Sequence, residues 1–145
     1  MATVRGCDVP DELFYNVDSN VWASLDESGD ITIGMTSYAC SLSGQIVSYT
    51  PRKPGKTVKK NKSCATVESG KWVGPVKAPV TGEVLELNPL LESQPELINA
   101  DPYGQGWIIK MRPSNWAEEA ADLSSGAVAL AKFDEKMEVD GFGGC

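Results

Sequence analysis

The chain contains no histidine. That removes the side chain most often used as a general base near neutral pH, the commonest metal ligand, and one half of every Ser–His or Cys–His nucleophile pair. No apolar run approaches the roughly 18 residues a membrane span needs, and Met1 to Pro10 lacks the basic-then-apolar order of a secretory leader. The four cysteines, Cys7, Cys40, Cys64 and Cys145, have no paired spacing and no Cys-x-x-Cys. That pattern predicts a reducing, cytoplasmic compartment, with Cys40 on a short helix, Cys64 in the core and Cys145 exposed on a mobile tail. Positive charge is also scarce: 13 Lys and Arg stand against 20 Asp and Glu, for a net charge of −7. A protein that neutralises phosphates needs a basic face, so a nucleic-acid partner is not expected. What is present, 145 residues of which 41% are hydrophobic, suffices for one soluble domain with its own core.

The acidic balance hides a local excess of the other sign. Arg52, Lys53, Lys56, Lys59, Lys60 and Lys62 crowd one segment with no acid among them, which leaves the remainder strongly acidic. The segment reads either as a solvated loop and strand face or as a docking patch for an acidic partner.

Along the chain the pattern is mostly of short strands. Pro10 to Tyr15 reads as a turn or short helical start. Val21 to Leu25 and Ile31 to Ile33 form a hairpin across the Asp26 to Asp30 turn. Thr36 to Leu42 suits a short helix capped by Thr36 or Ser37. Gln45 to Tyr49, Cys64 to Val67, Trp72-Val73, Val76 to Val80 and Gly82 to Leu87 read as strands, and the six residues Gly44 to Tyr49 resemble Gly82 to Leu87 as a weak internal repeat. Asn88 to Asp101 carries two prolines and reads as a loop with a helical turn, followed by a Trp107 to Met111 strand. Asn115 to Glu118 has capping-box spacing, and Val128 to Met137 is a second C-terminal helix candidate. The predicted fold is mainly β with short helices and a C-terminal helix. It divides into one domain over 1–137 and a flexible Gly-rich tail over 138–145.

The chain is organised around Lys71. It falls where the strand ending in Glu68-Ser69-Gly70 reverses into Trp72-Val73, so its amine is presented on a hairpin tip, and Gly70 permits a tight reversal. A lysine at a turn is ordinarily just solvated. A rigid β frame that presents one lysine and lacks a catalytic base is, however, what a carrier of a covalent prosthetic group requires.

At these residues the chain resembles the H proteins of the glycine cleavage system, lipoyl carriers with a flattened lipoyl/biotinyl-type β-barrel. The resemblance runs from Pro10 to Leu123. It rests on Ile31-Thr32-Ile33-Gly34 with Ser37-Tyr38-Ala39, Gly44 to Val47, Val67-Glu68-Ser69-Gly70-Lys71, Ala78 to Val84, Pro95 to Asn99 and Asp101 to Trp107, in matched order. It implies covalent lipoate on Lys71, flanked by Glu68, Ser69, Gly70 and Trp72, no catalytic residue and no metal. It also implies an arm of about ten bonds reaching on the order of 14 Å, and loading by a lipoate ligase or lipoyl synthesis enzymes. The family usually reads Glu-Ser-Val-Lys-Ala, where this chain has Gly70 before and Trp72 after the lysine, and the family's His-Glu-Trp appears here as Asn20-Val21-Trp22. With those departures the chain looks more like the lipoate-binding proteins of heterodisulfide-reductase-like sulfur oxidation. The resemblance then implies sulfur intermediates on the arm and sulfur-transfer or heterodisulfide-reductase-like partners. The alternative is an H protein that carries an aminomethyl group among the glycine cleavage enzymes.

Three other readings stay open. A biotin carrier shares the fold but has methionines on both sides of its lysine. An unlipoylated adaptor would keep the fold without the cofactor, and a cysteine-based redox protein would lean on Cys145. Lys77 competes with Lys71 for attachment but is followed by strand-like Ala78-Pro79-Val80.

Overall fold

The computed structural model describes residues 2–145. An N-terminal hairpin, β1 (Ala2–Val4) and β2 (Cys7–Val9), precedes β3 (Phe14–Asn16), β4 (Val21–Leu25) and β5 (Ile31–Met35). After helix α1 (Ser37–Ser43) come β6 (Ile46–Pro51), β7 (Thr57–Val58), β8 (Ser63–Ser69), β9 (Val73–Lys77) and β10 (Gly82–Leu87). Short helices α2 (Leu90–Ser93) and α3 (Leu97–Ala100) lead to β11 (Ile109–Pro113). The single-turn α4 (Trp116–Glu119) runs into a 3-10 turn, and α5 (Gly126–Asp140) ends the chain.

The strands form a six-stranded sheet ordered β3-β4-β5-β11-β10-β7 and a three-stranded sheet ordered β6-β8-β9. The mainly-β architecture with short helices and a C-terminal helix is as expected, although the sheets stay open and do not close into a barrel. Between them lies the main core, built from the alternating inward residues of both layers, such as Val21, Ile33, Ile46, Val67, Val76, Val84 and Met111. A second core of Tyr15, Trp22, Tyr38, Phe133 and Met137 lies beneath α5 and the N-terminal hairpin. The weak internal repeat has a structural counterpart. The ladders of β6 on β8 and of β10 on β11 each skip one residue, Val47 and Leu85, which sit at the same offset from Gly44 and Gly82.

Three expectations change. Residues 10–15 contain strand β3, because Phe14 and Tyr15 pair with β4 and extend the large sheet. Trp107 precedes β11 and is only half-buried, with the Lys110 ammonium 5.0 Å above its ring. Residues 138–145 do not form a free tail. Helix α5 continues to Asp140, Phe142 packs edge-on against Tyr38 with ring centroids 4.7 Å apart, and the Cys145 N–H donates to the Arg5 carbonyl at 2.9 Å. Cys145 is disulfide-bonded to Cys7, 138 positions away. The expectation of four unpaired cysteines is thus overturned, because the docked terminus carries Cys145 to the N-terminal hairpin. Cys40 and Cys64 are free, buried thiols pushed up to about 12 by that burial, which leaves them neutral and unreactive. No helix of the described residues is long and apolar enough to cross a membrane.

Candidate functional site

Strands β8 and β9 pair from Ser63↔Lys77 up to Glu68↔Val73, and residues 70–72 turn the corner, so Lys71 stands exposed at the tip. The reversal does not arise as the sequence suggested. Gly70 lies outside the left-handed region, and a Cβ there would meet no atom within 4 Å. What holds the turn is Ser69, only 6% exposed. Its N–H donates to the Trp72 carbonyl at 2.7 Å, its hydroxyl donates to the Ser43 carbonyl at 2.6 Å, and the same oxygen accepts from the Lys71 N–H at 3.3 Å. Ser69 therefore bolts the hairpin tip to the C-terminal end of α1. Ser69→Ala removes the donor to a buried carbonyl and the acceptor for Lys71. It is expected to cost about 1–3 kcal/mol and to speed amide exchange at Lys71, as read by denaturant unfolding and hydrogen exchange.

The glycine that matters is Gly44, the C-cap of α1, at φ +81°. The Lys71 stem lies across it: a Cβ at position 44 would come 3.0 Å from Lys71 Cε. Asn99 of α3 braces this corner, accepting from the Ile46 N–H at 2.8 Å and donating to the Gly44 carbonyl at 2.9 Å. Gly74 plays a parallel part for Trp72, whose indole lies so close over it that a Cβ would fall 2.1 Å from the ring. Glu68 is exposed, opposite Val73 on the outer face of the small sheet.

Trp72 forms one wall of a cavity of about 310 Å³ beside the tip. The other walls come from Ala39, Leu42 and Ser43 of α1, from Val21 and Met35, and from Pro75 and Val76 of β9. Ser19 and Asn20 also line it, and Ser19 Oγ and Asn20 Oδ1 are buried without a hydrogen-bond partner. No charged residue is among its walls. Leu42, Val47, Trp72 and Val73 leave exposed apolar surface on the elements flanking the tip.

Of the residues singled out in the sequence, Glu68, Ser69, Gly70, Lys71 and Trp72 form one tip. Lys77 sits at the far end of the same ladder, opposite Ser63. The sequence reading missed Gly44, Asn99 and the α1 residues behind the tip. The blocks matched in the resemblance, Ser37-Tyr38-Ala39, Gly44 to Val47 and Pro95 to Asn99, were the signals that pointed to them.

A folded frame that lays a lysine stem over a glycine beside an apolar cavity suits a carrier, which holds its group covalently and leaves the chemistry to others. The structural and sequence relatives have that character. The family model of the glycine cleavage H-protein matches residues 13–136. Glycine cleavage system H protein 5 of Aquifex aeolicus is 56% identical over 127 residues, covering 85% of this chain and 84% of that one. H protein 2 of the same organism is 44% identical over 134 residues, covering 92% and 83%. The crystal structure of a glycine cleavage system H protein from Mycobacterium marinum superposes with a TM-score of 0.75 at 28% identity, covering 86% of this chain and 98% of that one. The chain belongs to the glycine cleavage H-protein family, whose members are non-catalytic carriers with lipoate covalently attached to a lysine.

Proposed function

We propose that Lys71 is the lipoyl-bearing residue of this carrier and that the arm serves sulfur-transfer or heterodisulfide-reductase-like partners. Support for Lys71 comes from its exposure at a tip fixed by Ser69 and from the bare Gly44 surface, which lets the aliphatic stem lie flat. The residues present fit the group: an apolar cavity walled by Trp72 and Leu42 adjoins the attachment point, and a lipoate ligase can reach the amine from solvent. When bound, lipoate supplies a disulfide that a partner reduces to a dithiol able to hold a transferable group. The chain's own part is to hold the attachment point rigid, to offer Trp72 and Leu42 as shelter for an apolar arm, and to present Leu42, Val47 and Val73 to a partner's mouth. Glu68 and Gly70 flank the attachment without contacting it through a hydrogen bond or a required backbone angle.

The observation that carries the choice of partners is the uncharged cavity. An aminomethyl cargo bears an amine that is protonated near neutral pH. Enclosing a cation without a counter-ion costs several kcal/mol, and the unpartnered buried acceptors on these walls, Asn20 Oδ1 and Ser19 Oγ, are neutral. A neutral thiol can donate to those acceptors without requiring a carboxylate. The three differently numbered H proteins of a single organism among the relatives are consistent with members of one family serving different partners. The second reading, an aminomethyl carrier among glycine cleavage enzymes, is favoured by the family model and by the sequence and structural relatives, all glycine cleavage H proteins. An unlipoylated adaptor is a third possibility, and the intact mass of the protein from cells with the modifying enzymes separates it from both carriers. We place the protein in the cytoplasm as one carrier domain, with Cys7 of the Cys7–Cys145 bond buried and Cys145 exposed.

Glycine–bicarbonate exchange tests the choice. Loaded equally with lipoate, this chain is expected to support exchange at least about tenfold more slowly than an established H protein, a difference of about 1.4 kcal/mol in the barrier. Comparable rates would reverse the assignment in favour of glycine cleavage.

A further inference from the structure

We propose that the basic segment forms a second docking site, a cation-lined groove that binds a short acidic peptide segment of a partner protein, at the opposite end of the Lys71 hairpin. Arg52, Lys56, Lys59 and Lys62 line one groove of about 380 Å³, with Thr57, Val58 and Ser63 completing its walls and no acid among them. Of the six cations in the segment, Lys60 alone forms a salt bridge among the described residues. Its ammonium pairs with Asp122, holding that carboxyl below its ordinary range, and donates to the Glu119 carbonyl at 3.3 Å. The other five face outward from a chain whose 13 cations leave seven elsewhere to meet 20 acids. Like charges packed together without counter-charge repel one another, and a chain already at −7 needs no further charge for solubility.

The frame beneath these cations is not a loose loop. The Arg52 N–H donates to the Cys64 carbonyl at 2.9 Å, the Gly55 N–H to the Val84 carbonyl at 2.8 Å, and the Val84 N–H to the Lys56 carbonyl at 2.8 Å. The Asn61 N–H donates to the Ala78 carbonyl and the Ala78 N–H to the Lys62 carbonyl, both at 2.8 Å, while β7 pairs with β10. The segment is thus stitched to both sheets, and Arg52 Nε is braced on the Ser63 carbonyl at 3.3 Å. Charges held on a fixed frame lose less entropy on binding than charges on a floppy loop. Separate ammonium groups and one guanidinium around a short groove suit a few carboxylates spaced along a peptide. A long polyanion, whether nucleic acid or an anionic membrane, would extend beyond the groove onto the acidic remainder and be repelled there.

The location gives the groove its use. Strand β8 begins at Ser63 on the groove wall and ends at Ser69 beneath the Lys71 tip, and its seven residues at about 3.3 Å each span roughly 23 Å. A partner anchored in the groove leaves the tip unobstructed, so the carrier can stay attached while the tip visits an active site.

The test needs no lipoate, so its failure is distinct from failure of Lys71 as the attachment point. A fluorescein-labelled hexaglutamate peptide is titrated into the isotopically labelled full chain, followed by amide chemical shifts and fluorescence anisotropy. The expected result is saturable binding with shifts confined to Arg52–Ser63 and neighbouring β10 amides. Raising the salt from about 20 to about 300 mM should weaken it at least about tenfold. The Lys56→Gln, Lys59→Gln, Lys62→Gln variant, checked for an unchanged melting temperature, should weaken it by a similar factor. Lys71→Gln, at the far end of the hairpin, should leave it unaltered. The proposal is overturned if there is no saturable binding at low salt, if the shifts lie elsewhere, or if the triple variant binds equally well. It is also overturned if inorganic triphosphate, a single-stranded oligonucleotide or phosphatidylglycerol vesicles bind the groove more tightly than the peptide.

Discussion

Lys71→Arg is expected to abolish lipoylation of the protein while shifting its melting temperature by no more than about 2 °C. Two physical facts combine in that expectation. An arginine keeps the positive charge and the aliphatic stem that lies over Gly44, but its guanidinium stays protonated and cannot form the amide bond that attaches lipoate. The side chain is exposed and makes no salt bridge among the described residues, so the fold does not depend on its amine. Incubation with a lipoate ligase, ATP and lipoate, followed by intact-mass and peptide-mass measurement, reads the result directly. Lys77→Arg is the control and should load normally, since Lys77 lies in the strand ladder opposite Ser63, far from the tip. Label on Lys77 in the unaltered chain, or label surviving Lys71→Arg, would remove Lys71 from its proposed role. A drop of many degrees in melting temperature would show instead that the stem over Gly44 is a structural strut.

The position of Lys71 at a hairpin tip was legible in the sequence because local signals carry it: two β-prone runs and the short polar stretch between them, all within a few residues. The reason assigned to Gly70 was not correct, because the corner is held by Ser69 and the α1 carbonyl it reaches, and a serine in a strand gives no outward sign that its hydroxyl bridges to position 43. The cavity was illegible for a similar reason. Its walls come from residues 19–21, 35–43 and 72–76, segments whose proximity depends on how two sheets stack, and although Asn20, Ala39 and Trp72 were each singled out, nothing in the sequence brought them together. Helix α1 with its Thr36 cap was readable, since the cap hydroxyl accepts from the Ala39 N–H at 3.1 Å within a single turn. Strand β3 was hidden by Pro10 and the acids after it, which mark a turn but do not show where the turn ends.

The disulfide was the least legible feature, and it carries the second large expected effect. Reduction of Cys7–Cys145, or Cys145→Ser, is expected to lower stability by about 2–5 kcal/mol. The bond joins positions 138 apart, so it closes nearly the whole chain into a loop, and loop-closure entropy grows with that length. Releasing it frees more than entropy. The Cys145 N–H loses the Arg5 carbonyl, and Phe142 loses the covalent anchor that holds it near Tyr38. Arg5 should retain its contacts with Asp134 at 3.1 Å and Glu138 at 2.7 Å, which lie on α5 before the tail, but these are exposed and contribute little. The loss should be local to the second core beneath α5. The bolt between Ser69 and Ser43 belongs to the main core and should persist, so lipoylation at Lys71 should proceed at a nearly unchanged rate under conditions where the reduced protein remains folded. Urea unfolding with and without reductant measures the first effect, and ligase kinetics on Cys145→Ser measures the second. Alkylation of the native reduced protein should label Cys145 readily and spare Cys40 and Cys64, whose burial keeps their thiols neutral. An unchanged unfolding midpoint on reduction would mean that the terminus docks through Phe142 and Arg5 alone. A collapse of lipoylation would mean instead that the contact of Phe142 with Tyr38, near the N-terminal end of α1, is felt at the other end of this seven-residue helix, where the hairpin tip is held.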